Sequence, residues 1–427
     1  MGQNGRKVVI TGLGVFASTG KERESFFTNL INARSAVRRI AQFDPSPLSV
    51  QIAAEVPDYN PTDYFQPKRL DLLDRFTQFA LLAAREAMES SGLEVREEER
   101  PRFGVVIGSG MGGVQTFESG CFNVYARGAT RLHPFTIPKV MHNAPTSQIS
   151  MEYGAQGPSY STSTACSSSA HAIGAAFHMI KYGQADMVLA GGSDAPITMS
   201  MMRSWESVRV LANGNGNPAS ACRPFSADRE GFVMGEGAGI LLLEEYERAR
   251  RRGANIFAEI CGLGMTSDAT HITQPSVDGP ARAIRLTLEE GEMRPDEVDY
   301  INAHGTGTPL NDVTETEVIK QVFGEHARRL AISSTKSMHG HAMGATGAIE
   351  LVATVMALER GIVPPTANYT RPDPQCDLDY VPNQAQERPL RAAISNSFAF
   401  GGLNAVLLVR RLKSDSAGFG VGASSKK

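Results

Sequence analysis

The chain has 427 residues, 41% hydrophobic and 20% charged with 42 glycines, the composition of a soluble globular protein with length for two large cores. Its net charge of -3 provides no global field for nucleic acid or an anionic membrane, so an acidic partner would have to meet a local basic patch. No apolar run approaches the roughly 20 residues of a membrane span; the N-terminus "MGQNGRKVVITGLGV" lacks the apolar stretch of a signal peptide, and five scattered cysteines without a CxxC point to a reducing cytoplasm, with no disulfide framework or zinc site.

Along the chain, "RKVVITG" reads as a buried strand, and "FTQFALLAAREAMESSG" as a helix stopped at Gly92. "RFGVVIGSG" is the next strand. The "GSGMGG" that follows fits G-x-G-x-x-G at Gly108, Gly110 and Gly113, but a dinucleotide fold needs a second strand ending in Asp or Glu about 20 residues on. The chain reads "CFNVYARGATRLHPF" there, so a close-packed turn is expected instead. "YSTSTACSSSAHAIGAAFHMIKYG" predicts a helix from Cys166 to Gly183, with Ala170, Ile173, Gly174 and Phe177 on one face. "ADMVLAGGS" and "AGILLLEE" are strands, the second entered through the 16-residue glycine-rich loop "PFSADREGFVMGEGAG".

A boundary is expected near residues 250–258, after "YERARRRG". Beyond it "NIFAEICGLG", "VDYINAHG", "RLAISS", "RAAISNSF" and "NAVLLVRR" read as strands, and "ARAIRLTLEEG", "DVTETEVIKQVFG" and "GAIELVATVMALERG" as helices. The alternation predicts an α/β fold with mostly parallel, buried sheets in two halves, residues 1–255 and 256–411, and a loose tail over 412–427. No repeat is clear enough to prove a duplication.

Cys166 admits two readings. It is a small apolar residue for the core, or it is a nucleophile. A place in the first helical turn would put free N–H groups and the positive end of the macrodipole beside a thiolate. Thr164, Ala165, Ser167 and Ser168 are small enough to let a substrate carbon approach. A nucleophile needs partners. "DYINAHGTGTPLND" puts His304 at a strand end, and "AISSTKSMHGHAMGATGAIE" puts His341 before a glycine-rich helix start. Residues past strand C-termini line the crevice of an open α/β sheet. Either histidine alone is as readily structural; two of them with an unexplained cysteine suggest a site. His339 beside His341 has no acidic or cysteine ligand nearby, so no metal is expected. Lys336 is either a solvated charge or the partner of Glu350.

Five motifs, "TACSSS", "AHGTGT", "STKSMHGHAMGATGAIE", "PFSADREGFVMGEGAG" and "SNSFAFGG", resemble in order and spacing the elongating β-ketoacyl-acyl carrier protein synthases, type II, from about Lys7 to Arg410. The resemblance implies the thiolase fold, a five-layered αβαβα stack of two similar βαβαβαββ halves, in a homodimer. It implies that Cys166 takes an acyl chain from an acyl carrier protein. Malonyl on the carrier then loses carbon dioxide and attacks that acyl group. No free cofactor is implied, because phosphopantetheine arrives on the carrier. His304 and His341 match the pair that stabilises the enolate, Lys336 and Glu350 their support, and the N–H groups of Cys166 and Phe400 the oxyanion hole. Phe400 also matches the gate, with Phe398 as support. Thr306 and Thr308 match the residues that hold the pantetheine arm. Met111 and Phe135 match the acyl pocket. Lys68, Arg69, Arg131 and Arg209 match the carrier patch. A second histidine at position 341 separates this pattern from Cys/His/Asn initiating synthases and from two-cysteine thiolases.

There are departures. The gate reads "AFGGLN", with Ala399 for the usual glycine and Leu403 for the usual threonine. Ala399 lacks glycine's freedom at positive φ, which would alter gate motion. Asp71 and Leu72 stand where basic residues are common. Both changes leave room for a dedicated carrier in a nodulation-type, polyene or polyketide pathway. A non-catalytic partner subunit is opposed by Cys166, His304, His341 and Lys336 together. A monovalent cation near Asn302, Glu350 and Asn396 is left open.

Overall fold

The computed structural model describes residues 5–412. Ten strands form the main sheet: β1 (Val8–Ala17), β2 (Phe103–Gly108), β3 (Ser159–Thr162), β4 (Met187–Asp194), β5 (Gly237–Glu245), β6 (Ala258–Ser267), β7 (Tyr300–Asn302), β8 (Ala331–Ser333), β9 (Ala392–Ala399) and β10 (Leu403–Arg410). Their order is β8-β7-β9-β10-β6-β1-β5-β4-β2-β3. Both halves therefore run first, fifth, fourth, second, third strand outward from the centre. They meet where Val8–Ile10 of β1 pairs antiparallel with Ala258–Ile260 of β6.

Pairing corrects the expectation of mostly parallel sheets. In each half the second strand pairs parallel with the third and fourth, while the fifth is antiparallel to both neighbours. The physical reason is the chain end of each half. No crossover helix returns the last strand to the same edge, and β9 passes directly into β10 through the turn Phe400–Gly402.

Helices complete five layers. α1 (Arg75–Ser91) covers β1, β4 and β5 on one outer face, ending at Gly92 in the left-handed conformation as predicted. α2 (Ser168–Lys181) and α6 (Thr346–Arg360) lie in the middle and touch strands of both halves. α6 is buried on every side from Thr346 to Leu358, as a helix enclosed by two sheets must be. α4 (Asp278–Glu290) covers β6 and β10 on the other outer face, with α5 (Pro309–Phe323) against it. α3 (Met199–Val208) sits in the connection from β4 to β5. The stack is the expected αβαβα arrangement of two βαβαβαββ halves. Apart from Leu412, the tail expected over 412–427 lies outside the described residues. Among those described, no helix is long and apolar enough to cross a membrane.

Candidate active site

Helices α2 and α6 begin side by side, where the hydroxyl of Ser169 accepts from the Ala348 N–H at 2.9 Å. Cys166 lies just ahead of α2. The helix starts at Ser168 with Ser167 as its cap, so Cys166 precedes the cap instead of occupying the first turn. Ala165 holds φ +51°, a strained value for a residue with a Cβ. The serines expected to give room also fix this turn: Ser168 Oγ accepts from Thr164 N at 2.9 Å and donates to Ala165 O at 2.7 Å. Gly108 ends β2 against the same place, where a Cβ would meet Ser168 backbone at 2.3 Å.

Cys166 is buried, with 8% of the residue exposed. His341 Nε2 stands 3.1 Å from Cys166 Sγ, and Nδ1 is 2.9 Å from the Thr346 hydroxyl. When that hydroxyl donates to Nδ1, Nε2 carries the proton. The His304 ring meets His341 edge-on, centroids 5.7 Å apart at 86°. Burial first and the Lys336 charge second hold both imidazoles well below the usual histidine range, so both are neutral. Lys336 Nζ donates to Glu350 Oε1 at 2.7 Å, with both side chains fully buried. Burial pushes Glu350 up to about 7 against the pull of Lys336. The solvated reading of Lys336 is excluded.

The thiol itself departs from expectation. Burial pushes it up to about 11, outweighing the Lys336 charge and the N–H groups of Phe400 and Cys166. A helix start was expected to favour the thiolate, but in the enclosed turn ahead of the cap the cost of burying the charge is larger. Cys166 rests as a thiol.

A cavity of about 450 Å³ opens on these groups, lined among others by Cys166, His304, His341, Phe398, Phe400 and Arg209. Thr306 and Thr308 also line it, their hydroxyls 2.8 Å apart. Lys336 and Glu350 lie behind the wall. Met111 and Phe135 do not line this cavity: Met111 packs on the apolar cluster with Met202 and Met343, and Phe135 is 48% exposed. Nor do Lys68, Arg69 and Arg131 line it, and Arg69 faces Glu152 at 3.7 Å.

Phe400 lies in the β9–β10 turn, with Gly401 at φ +85° and Gly402 at φ +69°. Gly401 N donates to Ile272 O at 2.7 Å, and Asn404 Nδ2 to Asp268 Oδ1 at 2.7 Å. Ala399 is a buried strand residue paired with Leu403 and has no positive φ. The expected backbone penalty at Ala399 is therefore absent from this conformation.

Three buried carboxylates escaped the sequence reading. Asp194 accepts from Ser109 Oγ at 2.7 Å and from the N–H groups of Gly110, Met111 and Gly344 at 2.9, 3.0 and 2.7 Å. It ties the "GSGMGG" turn to the segment just after His341, using the amides a pyrophosphate would need. Glu315 accepts from the N–H groups of His304 and Gly305 at 2.8 and 2.7 Å. Asp312, one turn earlier on α5, accepts from Phe225 N at 2.7 Å and Gly307 N at 3.2 Å. The glycine-rich loop holds His341 itself: His341 N donates to Val233 O at 2.7 Å and Gly235 N to His341 O at 2.9 Å. His339 binds Thr335 and Gly340 instead and takes no part.

Comparison with known proteins gives matches over nearly the whole chain. Family models for the β-ketoacyl synthase N-terminal and C-terminal domains match residues 5–249 and 257–370. Nodulation protein E of Rhizobium sp. (strain N33) is 46% identical, covering 95% of this chain and 100% of that protein. The 3-oxoacyl-[acyl-carrier-protein] synthase 2 of Staphylococcus aureus (strain COL) is 43% identical, covering 97% and 100%. A solved complex of a type II PKS acyl-carrier protein with its ketosynthase bound to the hexaketide superposes with a TM-score of 0.88 at 35% identity, covering 96% of this chain and 100% of that one.

Proposed function

The chain belongs to the β-ketoacyl synthase family, and we propose that it condenses an acyl chain held on Cys166 with malonyl on an acyl carrier protein. The product is a 3-oxoacyl chain two carbons longer, made in fatty acid biosynthesis. The observation that carries the residue assignment is one juxtaposition: a buried thiol 3.1 Å from the Nε2 of a neutral histidine, with a second neutral histidine beside it in one cavity.

In the first step Cys166 Sγ bonds the acyl carbonyl carbon, the carbonyl–sulfur bond to the carrier breaks, and the thiol proton ends on the carrier's sulfur. The His341 Nε2–H, 3.1 Å from Sγ, would donate to the sulfur as that proton leaves. The N–H groups of Cys166 and Phe400 would hold the oxyanion. In the second step malonyl loses carbon dioxide, and the electron pair is delocalised onto the thioester oxygen. His304 and His341 would donate to that oxygen; preorganised donors of this kind are worth about 3–4 kcal/mol each. The carbanion then bonds the acyl carbon, and the bond to Cys166 breaks, returning the sulfur to take up a proton. Burial, with Lys336 held by Glu350 as the second cause, keeps both imidazoles neutral, each with one N–H to donate. Thr306 and Thr308 would hydrogen-bond the pantetheine arm, and Arg209 at the mouth would meet the carrier's acidic surface.

Asn302 Oδ1, Glu350 Oε2 and Asn396 Oδ1 are buried without a hydrogen-bond partner. An all-oxygen set of this kind fits a hard monovalent cation, which would offset the Glu350 charge. The exposed edge of β3 and the exposed Phe117, Phe122, Tyr125, Phe135 and Ile137 support a second ketosynthase-like subunit, most simply a second copy of this chain, covering that face. Five free thiols suit the cytoplasm. A dedicated carrier is the second reading, favoured by "AFGGL" at the gate and the 46% identity to nodulation protein E.

The test is peptide mass spectrometry after mixing with carriers loaded with chains of graded length. Acyl mass on the Cys166 peptide from the fatty-acid carrier is expected. Acylation from an unusual carrier alone would move the protein to a specialised pathway, and none from any carrier would refute the nucleophile.

A further inference from the structure

Trp205 is the only tryptophan in the chain. It lies on α3 and lines the cavity with Phe400 and Cys166. Its ring meets Phe400 at 5.9 Å between centroids, tilted 37°, and meets Phe232 edge-on at 5.5 Å and 81°. Phe232 in turn meets the His341 ring at 5.3 Å and 79°. An aromatic line thus runs from the gate through Trp205 to a proposed catalytic histidine.

The two ends of the Trp205–Phe400 contact differ in rigidity. Helix α3 is anchored: Thr198 caps it, Glu206 Oε1 accepts from Val50 N at 2.7 Å, and Arg209 closes it at φ +60°. Phe400 sits beside two glycines at positive φ; the backbone bonds of the turn run through Gly401 and Gly402, to Ile272, Ala399 and Asp268, and none of them through Phe400 itself. A flat, wide, two-torsion side chain on the fixed element is suited to hold a phenyl ring on the movable one.

We infer that Trp205 is the latch of the gate: its tilted ring contact with Phe400 holds the turn closed over Cys166, and acylation breaks that contact. The inference rests on the ketosynthase reading and adds a residue that sets the order of events. A closed gate lowers the access of malonyl to the histidines, without abolishing it, until an acyl chain has displaced Phe400. An aromatic pair of this type shifts a two-state equilibrium about two- to tenfold.

The sole tryptophan makes the test direct. Its emission is recorded while the full-length protein is mixed with dodecanoyl-loaded acyl carrier protein, and the same samples are analysed for acyl mass on the Cys166 peptide. The emission is expected to change at the rate of acylation, and Phe400→Ala is expected to show the changed emission from the start. Trp205→Ala is expected to raise malonyl decarboxylation relative to condensation about two- to tenfold, with Trp205→Phe between it and the wild type. Acyl mass with unchanged emission would overturn the latch, as would a wild-type ratio in Trp205→Ala. Absence of acyl mass would overturn the ketosynthase reading instead, and the Phe400→Ala emission would still decide whether gate and tryptophan are in contact.

Discussion

In the N-terminal half the third strand, β3, passes to α2 through Thr164, Ala165 and Cys166; in the C-terminal half the corresponding strand, β8, passes to α6 through the segment that carries His341. The second strands correspond too: β2 leads to Met111 and β7 to His304. The fourth strands end in Asp194 on one side and lead into the Phe400 gate on the other. Identical strand order has thus been given different chemistry at equivalent exits. The first half offers the proposed nucleophile, Cys166, and an apolar wall. The second offers neutral imidazoles, a fully buried Lys336–Glu350 pair and the glycine-bounded Phe400 turn. One backbone scheme, used twice face to face, sets both groups at the inner ends of α2 and α6.

This division of labour can be broken one side at a time. Cys166→Ala is expected to lower condensation by at least about 10³-fold, since Cys166 is the one thiol lining the cavity; product formation by the variant at the wild-type rate would remove the nucleophile from the first half. His304→Ala is expected to lower decarboxylation about 10²- to 10³-fold through loss of one oxyanion donor, yet leave transfer of the acyl chain to Cys166 measurable by mass.

Lys336→Met sharpens the comparison through pH. Lys336 is the second cause, after burial, of the depressed histidine pKa values. The neutral imidazoles lose function as pH falls through their folded pKa. Removing the lysine raises that pKa, so the acid limb of the rate profile is expected to move to higher pH. The variant also strands Glu350, at a cost of about 3–5 kcal/mol visible as a lower Tm, and Lys336→Met/Glu350→Gln should recover part of it. Asp194→Asn turns one of two double acceptors into a donor facing its own donors; a loss of about 1–3 kcal/mol in urea unfolding is expected. Smallest is Thr306→Val, for which KM for the loaded carrier should rise about three- to tenfold with kcat little changed.

Most elements were legible because the strands are apolar runs buried on both faces and the helices end at glycines such as Gly92. The pairing of Cys166 with two histidines was legible because each falls at a strand exit. Burial was not. The enclosure that raises the Cys166 thiol depends on residues from both halves, and short strings cannot reveal it. The identical strand order was hidden because topology is kept by backbone register while the side chains diverge. Asp194, Asp312 and Glu315 resemble ordinary surface charges in sequence. Asp312 and Glu315 did carry a signal, being three residues apart on the helix that directly follows "AHGTGT".

The central claim is that the halves act separately, the first holding the acyl chain and the second releasing carbon dioxide. It is tested most directly by measuring carbon dioxide release from malonyl-loaded carrier by Cys166→Ala and His304→Ala side by side. The account predicts continued release by Cys166→Ala without condensed product, and release reduced at least about 10²-fold by His304→Ala. Equal loss in both variants, or undiminished release by His304→Ala, would contradict it.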